Sequence, residues 1–216
     1  MEEWNLKLAL LLLIAYLLGA IPNGVWIGKR FFHTDIRKAG SGNIGTTNTF
    51  RVLGPVAGSA VLVLDLAKGT VATLLPVWFL HVSPHSPMLL LFGLMAILGH
   101  TVSIFDHFKG GKAVATSAGM LLAYNPLLFV IAATCFVSLI YLTSMVSLAS
   151  MISFTIITIL CFVIQDWYLS VLAVCLTIFV FWRHRTNIVR IKNGTESMVS
   201  FGLGNKRRQR QQQKQD

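Results

Sequence analysis

Acidic side chains are scarce. Asp and Glu number 8 among 216 residues, against 18 Lys and Arg. A membrane-embedded phosphotransferase that works through Mg²⁺ needs clustered carboxylates to hold the ion. Only Asp35, Asp106 and Glu196 fall in the polar segments before the C-terminal tail, and they are scattered. No metal and no cofactor are therefore expected. Cysteine is scarcer still: Cys135, Cys161 and Cys175 lie in apolar runs without metal-ligand spacing and read as small packing or lipid-facing residues. The Gly-x-x-x-x-Gly-Lys-Ser/Thr pattern of a Walker A loop is missing. So is any internal repeat.

What is abundant is apolar. Apolar residues make up 55% of the chain and charged residues only 12%. Uncharged runs of about 20 such residues are membrane-spanning helices, which makes the chain an all-α, polytopic integral membrane protein. The net charge of +10 could suggest nucleic acid, but 16 of the 18 basic residues lie in three segments: 29–51, 109–112 and 183–214. That is the positive-inside pattern, with membrane lipids rather than nucleic acid as the surroundings. The first run, from Trp4 to about Gly28, follows Glu2-Glu3 and precedes Lys29-Arg30. This charge step places the N-terminus outside. The run has neither the basic start nor the small-residue cleavage site of a signal peptide, so it reads as a retained helix.

Five further strong runs follow, at about 53–80, 88–105, 126–142, 145–164 and 167–182. Six spans would leave both termini on one side, yet the basic tail belongs in the cytosol. Parity is restored if Ala113 to Tyr124 also spans, although about 12 residues rise only about 18 Å against a core of roughly 30 Å. Seven transmembrane helices with a short fourth are expected, the C-terminus cytosolic and all three polar segments on the cytosolic face. The membrane domain would cover residues 1–203, and 204–216 would be a basic, disordered tail drawn to anionic lipid. In the second run, Gly54-x-x-x-Gly58 has the spacing for close helix contact. Asp65 and Lys68 share a helix face and can pair, as a structural ion pair or a functional one.

The most informative stretch is Gly40-Ser-Gly-Asn-Ile-Gly-Thr-Thr-Asn-Thr-Phe-Arg51. Gly40, Gly42 and Gly45 let the backbone aim N–H groups at one point. Ser41, Thr46, Thr47 and Thr49 add hydroxyls, Asn43 and Asn48 amides, and Arg51 a fork of donors. Such a set suits a phosphate; the alternative is a flexible linker. Gly40-Ser41-Gly42 is no intramembrane protease signature, because it lies in a polar loop. Lys109-Gly110-Gly111-Lys112 opens the short helix, where exposed N–H groups and two lysines again favour an anion. In the third segment, a helix continuing past the membrane would put His184 and Asn187 on one face, with Arg183 and Arg190 nearby. His184 could act as a base or a phosphate donor. Glu196 reads as the partner of a nearby arginine.

Together these segments resemble the bacterial acyl-phosphate:glycerol-3-phosphate acyltransferases, small integral membrane enzymes. The matching pieces are Gly40–Asn48 with Arg51, Gly99-His100 with Phe108–Thr116, Asp65-x-x-Lys68-Gly69, and Arg183-His-x-x-Asn187 with Gly194-Thr-Glu196. The His-x-x-x-x-Asp dyad of the acyl-CoA-dependent glycerolipid enzymes is absent; His100 and Asp106 are one residue too far apart. The resemblance implies acyl transfer from a fatty acyl phosphate to the 1-hydroxyl of glycerol 3-phosphate, at a bacterial plasma membrane. It implies that Ser41 and Arg51 are needed for catalysis and that His184 and Asn187 act at the site. Lys109, Gly110, Gly111 and Lys112 would bind substrate phosphate, together with Gly42, Asn43, Gly45, Thr47 and Asn48 of the first loop. Glu196, Asp65 and Lys68 are expected to be structural. A transporter of an organic phosphate is the competing reading, and it requires donors on both faces, where the outer turns here are short and almost uncharged.

Overall fold

The computed structural model describes residues 1–213, and among them the regular structure is helical, with one isolated bridge between Ser103 and Lys109. The helices are α1 (Glu2–Ala20), α2 (Asn23–Phe31), α3 (Thr46–Leu80), α4 (Met88–Thr101), α5 (Val114–Tyr124), α6 (Pro126–Thr143), α7 (Val146–Val163), α8 (Trp167–Arg183), α9 (Arg185–Lys192) and α10 (Leu203–Gln212). Each of the seven expected apolar runs contains an α-helix, the first being broken into two. By length and composition α1, α3, α6 and α7 can each cross a membrane, and α8 with α9 forms a pair bent by 59°. The remaining two, α4 and α5, are shorter apolar helices. Leu13, Val63, Val137 and Ile178 stand exposed on these helices, as side chains do when lipid is the solvent.

The chain forms two compact units, Met1–Pro126 and Leu127 onward. In the first unit, α1 packs on α4 and α3 on α5 at very short range. A Cβ added at Gly19 would lie 2.0 Å from the Ala96 carbonyl oxygen, and one at Gly119 would lie 2.0 Å from that of Leu66. These glycines, with Gly99 and Gly69 answering them, let backbones touch where lipid supplies no hydrophobic force. Leu11, Ala15, Ala72, Leu75, Phe92 and Ala96 fill the contact.

Three expectations are corrected here. The first run is two helices, because it breaks at Ile21-Pro22, where proline has no N–H to continue the ladder. Lys68 Nζ donates to the Ile21 carbonyl and pairs with Asp65 Oδ1, both at 2.9 Å, while Asn23 Nδ2 donates to Asp65 at 2.9 Å. The buried pair thus holds the break, which is a structural use. Secondly, α3 starts at Thr46, so Arg51 is on a helix and not in a loop. Thirdly, Gly54 makes no helix contact. It is a kink at φ +83 ahead of Pro55, with nothing within 4 Å of an added Cβ, while the Phe50 ring folds back onto Gly58.

In the second unit α7 packs on α8, and the Thr158 and Thr177 hydroxyls lie 2.8 Å apart between them. The segment expected to be disordered is helical from Leu203 to Gln212. Its start is fixed by Ser144, whose Oγ donates to the Phe201 carbonyl at 2.8 Å and accepts from the Asn205 N–H at 2.9 Å. Residues 214–216 lie outside the described residues.

Candidate active site

The polar loop of the first unit is built on a small apolar base. Val25, Ile36 and Ile44 are buried beneath it, with Val52 and Leu53 packed alongside. Asn48, only 1% exposed, sits on this base and organises the loop above. Its Oδ1 accepts from the Ser41 N–H at 2.8 Å and lies 3.1 Å from Ser41 Oγ. Its Nδ2 donates to the carbonyls of Ile36 and Ala39, at 2.9 and 3.2 Å. Gly40, at φ +60, passes so close to Asn48 that a Cβ would lie 2.4 Å from Oδ1. Asn43 Oδ1 caps the Gly45 N–H at 2.9 Å, turning the chain into α3. Ser41 is thereby exposed at the rim, its hydroxyl facing an amide oxygen that is no base.

A cavity of about 500 Å³ opens beside this loop. Ser41, Gly42 and Asn43 line it from the first segment and Lys109 and Gly110 from the second, so two of the three expected segments share one space. Its floor is an ion network. Arg37 lies in a fork against Asp35, Nε to Oδ1 at 2.8 Å and Nη2 to Oδ2 at 2.6 Å, and its Nη1 reaches buried Asp106. The Arg37 hydrogen bonds hold the Asp35 carboxyl well below the usual carboxylate range, against a smaller opposing effect of burial. The Asp35 hydrogen bond in turn raises the Arg37 guanidinium. Both acids in the cavity are therefore tied to Arg37. Among the described residues Lys38 and Lys109 have no acidic partner, so the balance favours an anion.

The second segment packs its glycines inward. Gly111 N–H donates to the His100 carbonyl at 3.1 Å, and a Cβ on Gly111 would lie 2.2 Å from His100 Nε2. Gly110 lies equally tight on the carbonyls of His100 and Thr101. Arg51, exposed on α3, has its Cδ 3.4 Å from the position of a Cβ on Gly40.

In the second unit the helix does not run on past the boundary; it bends at His184, between α8 and α9. His184 is buried, and its Nδ1 lies 2.8 Å from the Val180 carbonyl. A carbonyl only accepts, so Nδ1 carries the proton and the basic lone pair of the neutral ring is on Nε2. Asn187 Nδ2 donates to Glu196 Oε1 at 2.6 Å, Ser147 Oγ to the same oxygen at 2.7 Å, and Arg190 Nε to Oε2 at 2.9 Å. Burial opposes ionisation of Glu196, but these partners outweigh it and bring its pKa below the usual value. The arginine pairing foreseen for Glu196 is present, with Asn187 and Ser147 added.

The family profile described as Glycerol-3-phosphate acyltransferase matches residues 9–194. The chain belongs to the glycerol-3-phosphate acyltransferase family. A glycerol-3-phosphate acyltransferase of Levilactobacillus brevis is 71% identical over 206 residues, 94% of this chain and 99% of that protein. One from Lactiplantibacillus plantarum is 61% identical over 210 residues, 97% of this chain and all (100%) of that one. Among solved structures, the glycerol 3-phosphate form of PlsY (YgiH), an integral membrane glycerol 3-phosphate acyltransferase, superposes with a TM-score of 0.84 at 33% identity. It covers 90% of this chain and 96% of that one. The lysophosphatidic acid form gives 0.80 at 32%, with the same coverage of 90% and 96%. The chain is an all-α membrane protein of this family.

Within the family frame, the first and second segments are brought together as expected, but not every donor is free. The polar atoms of Asn48 are used inside the loop, and the Gly111 N–H serves the His100 carbonyl. Both residues shape the cavity instead of lining it. Sequence reasoning passed over Asp35, Arg37 and Asp106 as site residues. The Asp-x-Arg spacing of 35 and 37 was the available signal; the Asp106 contact, 69 residues away, had none.

Proposed function

We propose that the protein transfers a fatty acyl group from acyl phosphate to the 1-hydroxyl of glycerol 3-phosphate, giving lysophosphatidic acid and inorganic phosphate. The observation that carries this reading is the cavity of about 500 Å³ shared by Ser41 and Lys109. It occurs in a chain that matches, over 90% of its length, a protein crystallised with glycerol 3-phosphate. Both substrates carry phosphate, which accounts for cations and loop donors in excess of free acids.

In this reading the hydroxyl oxygen attacks the anhydride carbonyl directly, and the bond from acyl carbon to phosphate oxygen breaks. The hydroxyl proton passes to a substrate phosphate oxygen, and the phosphate leaves with the bonding pair. Holding both substrates together makes the step effectively intramolecular. Arg51, Lys109 and Lys112 steady the departing phosphate, and loop N–H groups, with the Ser41 hydroxyl rotated away from Asn48 Oδ1, steady the developing oxyanion. Ser41 acts as a hydrogen-bonding group, because its neighbour is the Asn48 amide and not a base. The acyl donor is already activated, so the reaction calls for neither a metal nor an acyl-enzyme. Asn187 is assigned an orienting role and Glu196 a structural one. We further propose seven spans with the N-terminus outside, and a site open to the cytosol of a bacterium.

Purified protein given glycerol 3-phosphate and palmitoyl phosphate should release lysophosphatidic acid and phosphate in equal amounts. Turnover with palmitoyl-CoA alone, or an acyl group trapped on Ser41, would overturn the proposal.

A further inference from the structure

The reaction above makes no use of α10. This helix is seated on the α6–α7 turn of its own unit. Gly202, at φ +94, turns the chain against the Tyr141 carbonyl, and a Cβ on Gly204 would lie 2.1 Å from that of Thr143. Ser144 Oγ binds both the Phe201 carbonyl and the Asn205 N–H. Arg208 turns inward and donates to the Glu196 carbonyl at 3.3 Å. Seating fixes what the rest of the helix presents. Lys206, Arg207 and Arg210 are exposed and, at spacings of three and four, share one face. After Glu196 the sequence carries a single acidic residue, Asp216, against Lys206, Arg207, Arg208, Arg210 and Lys214. Phe201, 57% exposed, stands at the head of the helix as an apolar contact beside the charges.

We propose that α10 and Phe201 form a docking face for the anionic phospholipid headgroups of the bilayer around the protein. A helix meant only for water would carry acids among its cations. Three cations on one face, without an acidic partner among the described residues and with an aromatic side chain beside them, match a headgroup layer in charge and in apolar depth. A loose tail would pay the ordering entropy at each encounter, whereas a helix already held by Ser144 and Arg208 presents its cations together.

The test uses whole protein in nanodiscs, which leave both membrane faces open to protease, and needs no activity, so it is independent of the acyl-transfer reading. Limited trypsin digestion at Lys206–Arg210 is followed by mass spectrometry in discs of phosphatidylcholine and in discs containing phosphatidylglycerol. Cleavage should slow at least about tenfold in the anionic discs. The protection should vanish at about 1 M salt, where the Debye length is about 3 Å. Ser144→Ala should be cut faster than the parent in neutral discs, since it loses the seat. Equal cleavage in the two discs overturns the proposal, as does equal protection in neutral discs by a soluble polyanion. A Ser144→Ala rate matching the parent overturns the seated arrangement on which it depends.

Discussion

Replacing Asn48 by alanine removes the side chain that holds Ser41 in place. Four contacts go: the Ser41 N–H at 2.8 Å, Ser41 Oγ at 3.1 Å, and the carbonyls of Ile36 and Ala39 at 2.9 and 3.2 Å. At about 1 kcal/mol net for each, the loop loses about 4 kcal/mol. Water entering the vacated space restores part, leaving about 3 kcal/mol, or about a hundredfold in the population of the ordered loop. Two readouts should move together. Hydrogen exchange at the Ser41 amide should quicken by about two orders of magnitude, and kcat/KM for acyl transfer should fall by a similar factor, because Ser41 is then rarely in position. A variant with kcat/KM within about twofold of the parent and unchanged Ser41 exchange would refute the claim that Asn48 organises the loop.

The other predictions concern packing and charge. Gly111→Ala places a Cβ 2.2 Å from His100 Nε2, so the Lys109–Lys112 segment must shift; KM for the phosphate substrates should rise more than kcat falls in initial-rate assays. Glu196 has a depressed folded pKa, so its stabilisation is fully present above the ordinary glutamate value of about 4.3 and is lost as pH falls through the lower folded value. The Tm gap between the parent and Glu196→Gln should therefore hold steady near neutrality and close below about pH 4. Asp65→Asn leaves the buried Lys68 ammonium without its counter-charge, at a cost of about 3–5 kcal/mol in thermal unfolding followed by tryptophan fluorescence. Adding Lys68→Met should recover much of that loss, and a double variant no more stable than the single one would contradict the ion-pair account.

The helices were legible because a bilayer allows little else. Apolar runs must close their backbone bonds internally, so run boundaries became helix boundaries, as at Leu80 and Tyr124. Misreadings came where a local pattern had two physical outcomes. Gly54-x-x-x-Gly58 has the spacing of a helix contact, but Pro55 takes away the N–H that would continue the ladder, and Gly54 becomes a kink. The contacts of that kind lie at Gly19, Gly99, Gly69 and Gly119, and no spacing rule distinguished them. His184 was placed on a continuous helix face, and the chain bends there by 59°.

By itself the sequence determined where apolar runs end, where cations gather, and that loop donors and lysines sit in segments suited to phosphate. Each of these follows from neighbours along the chain. Only the tertiary structure decided which donors remain available to a ligand. Asn48 spends its capacity on Ser41, Ile36 and Ala39, Gly111 on His100, and Arg37 on Asp35 and on Asp106, 69 residues away. A donor satisfies only a fixed number of acceptors, and packing, which joins residues distant in sequence, sets which ones it meets.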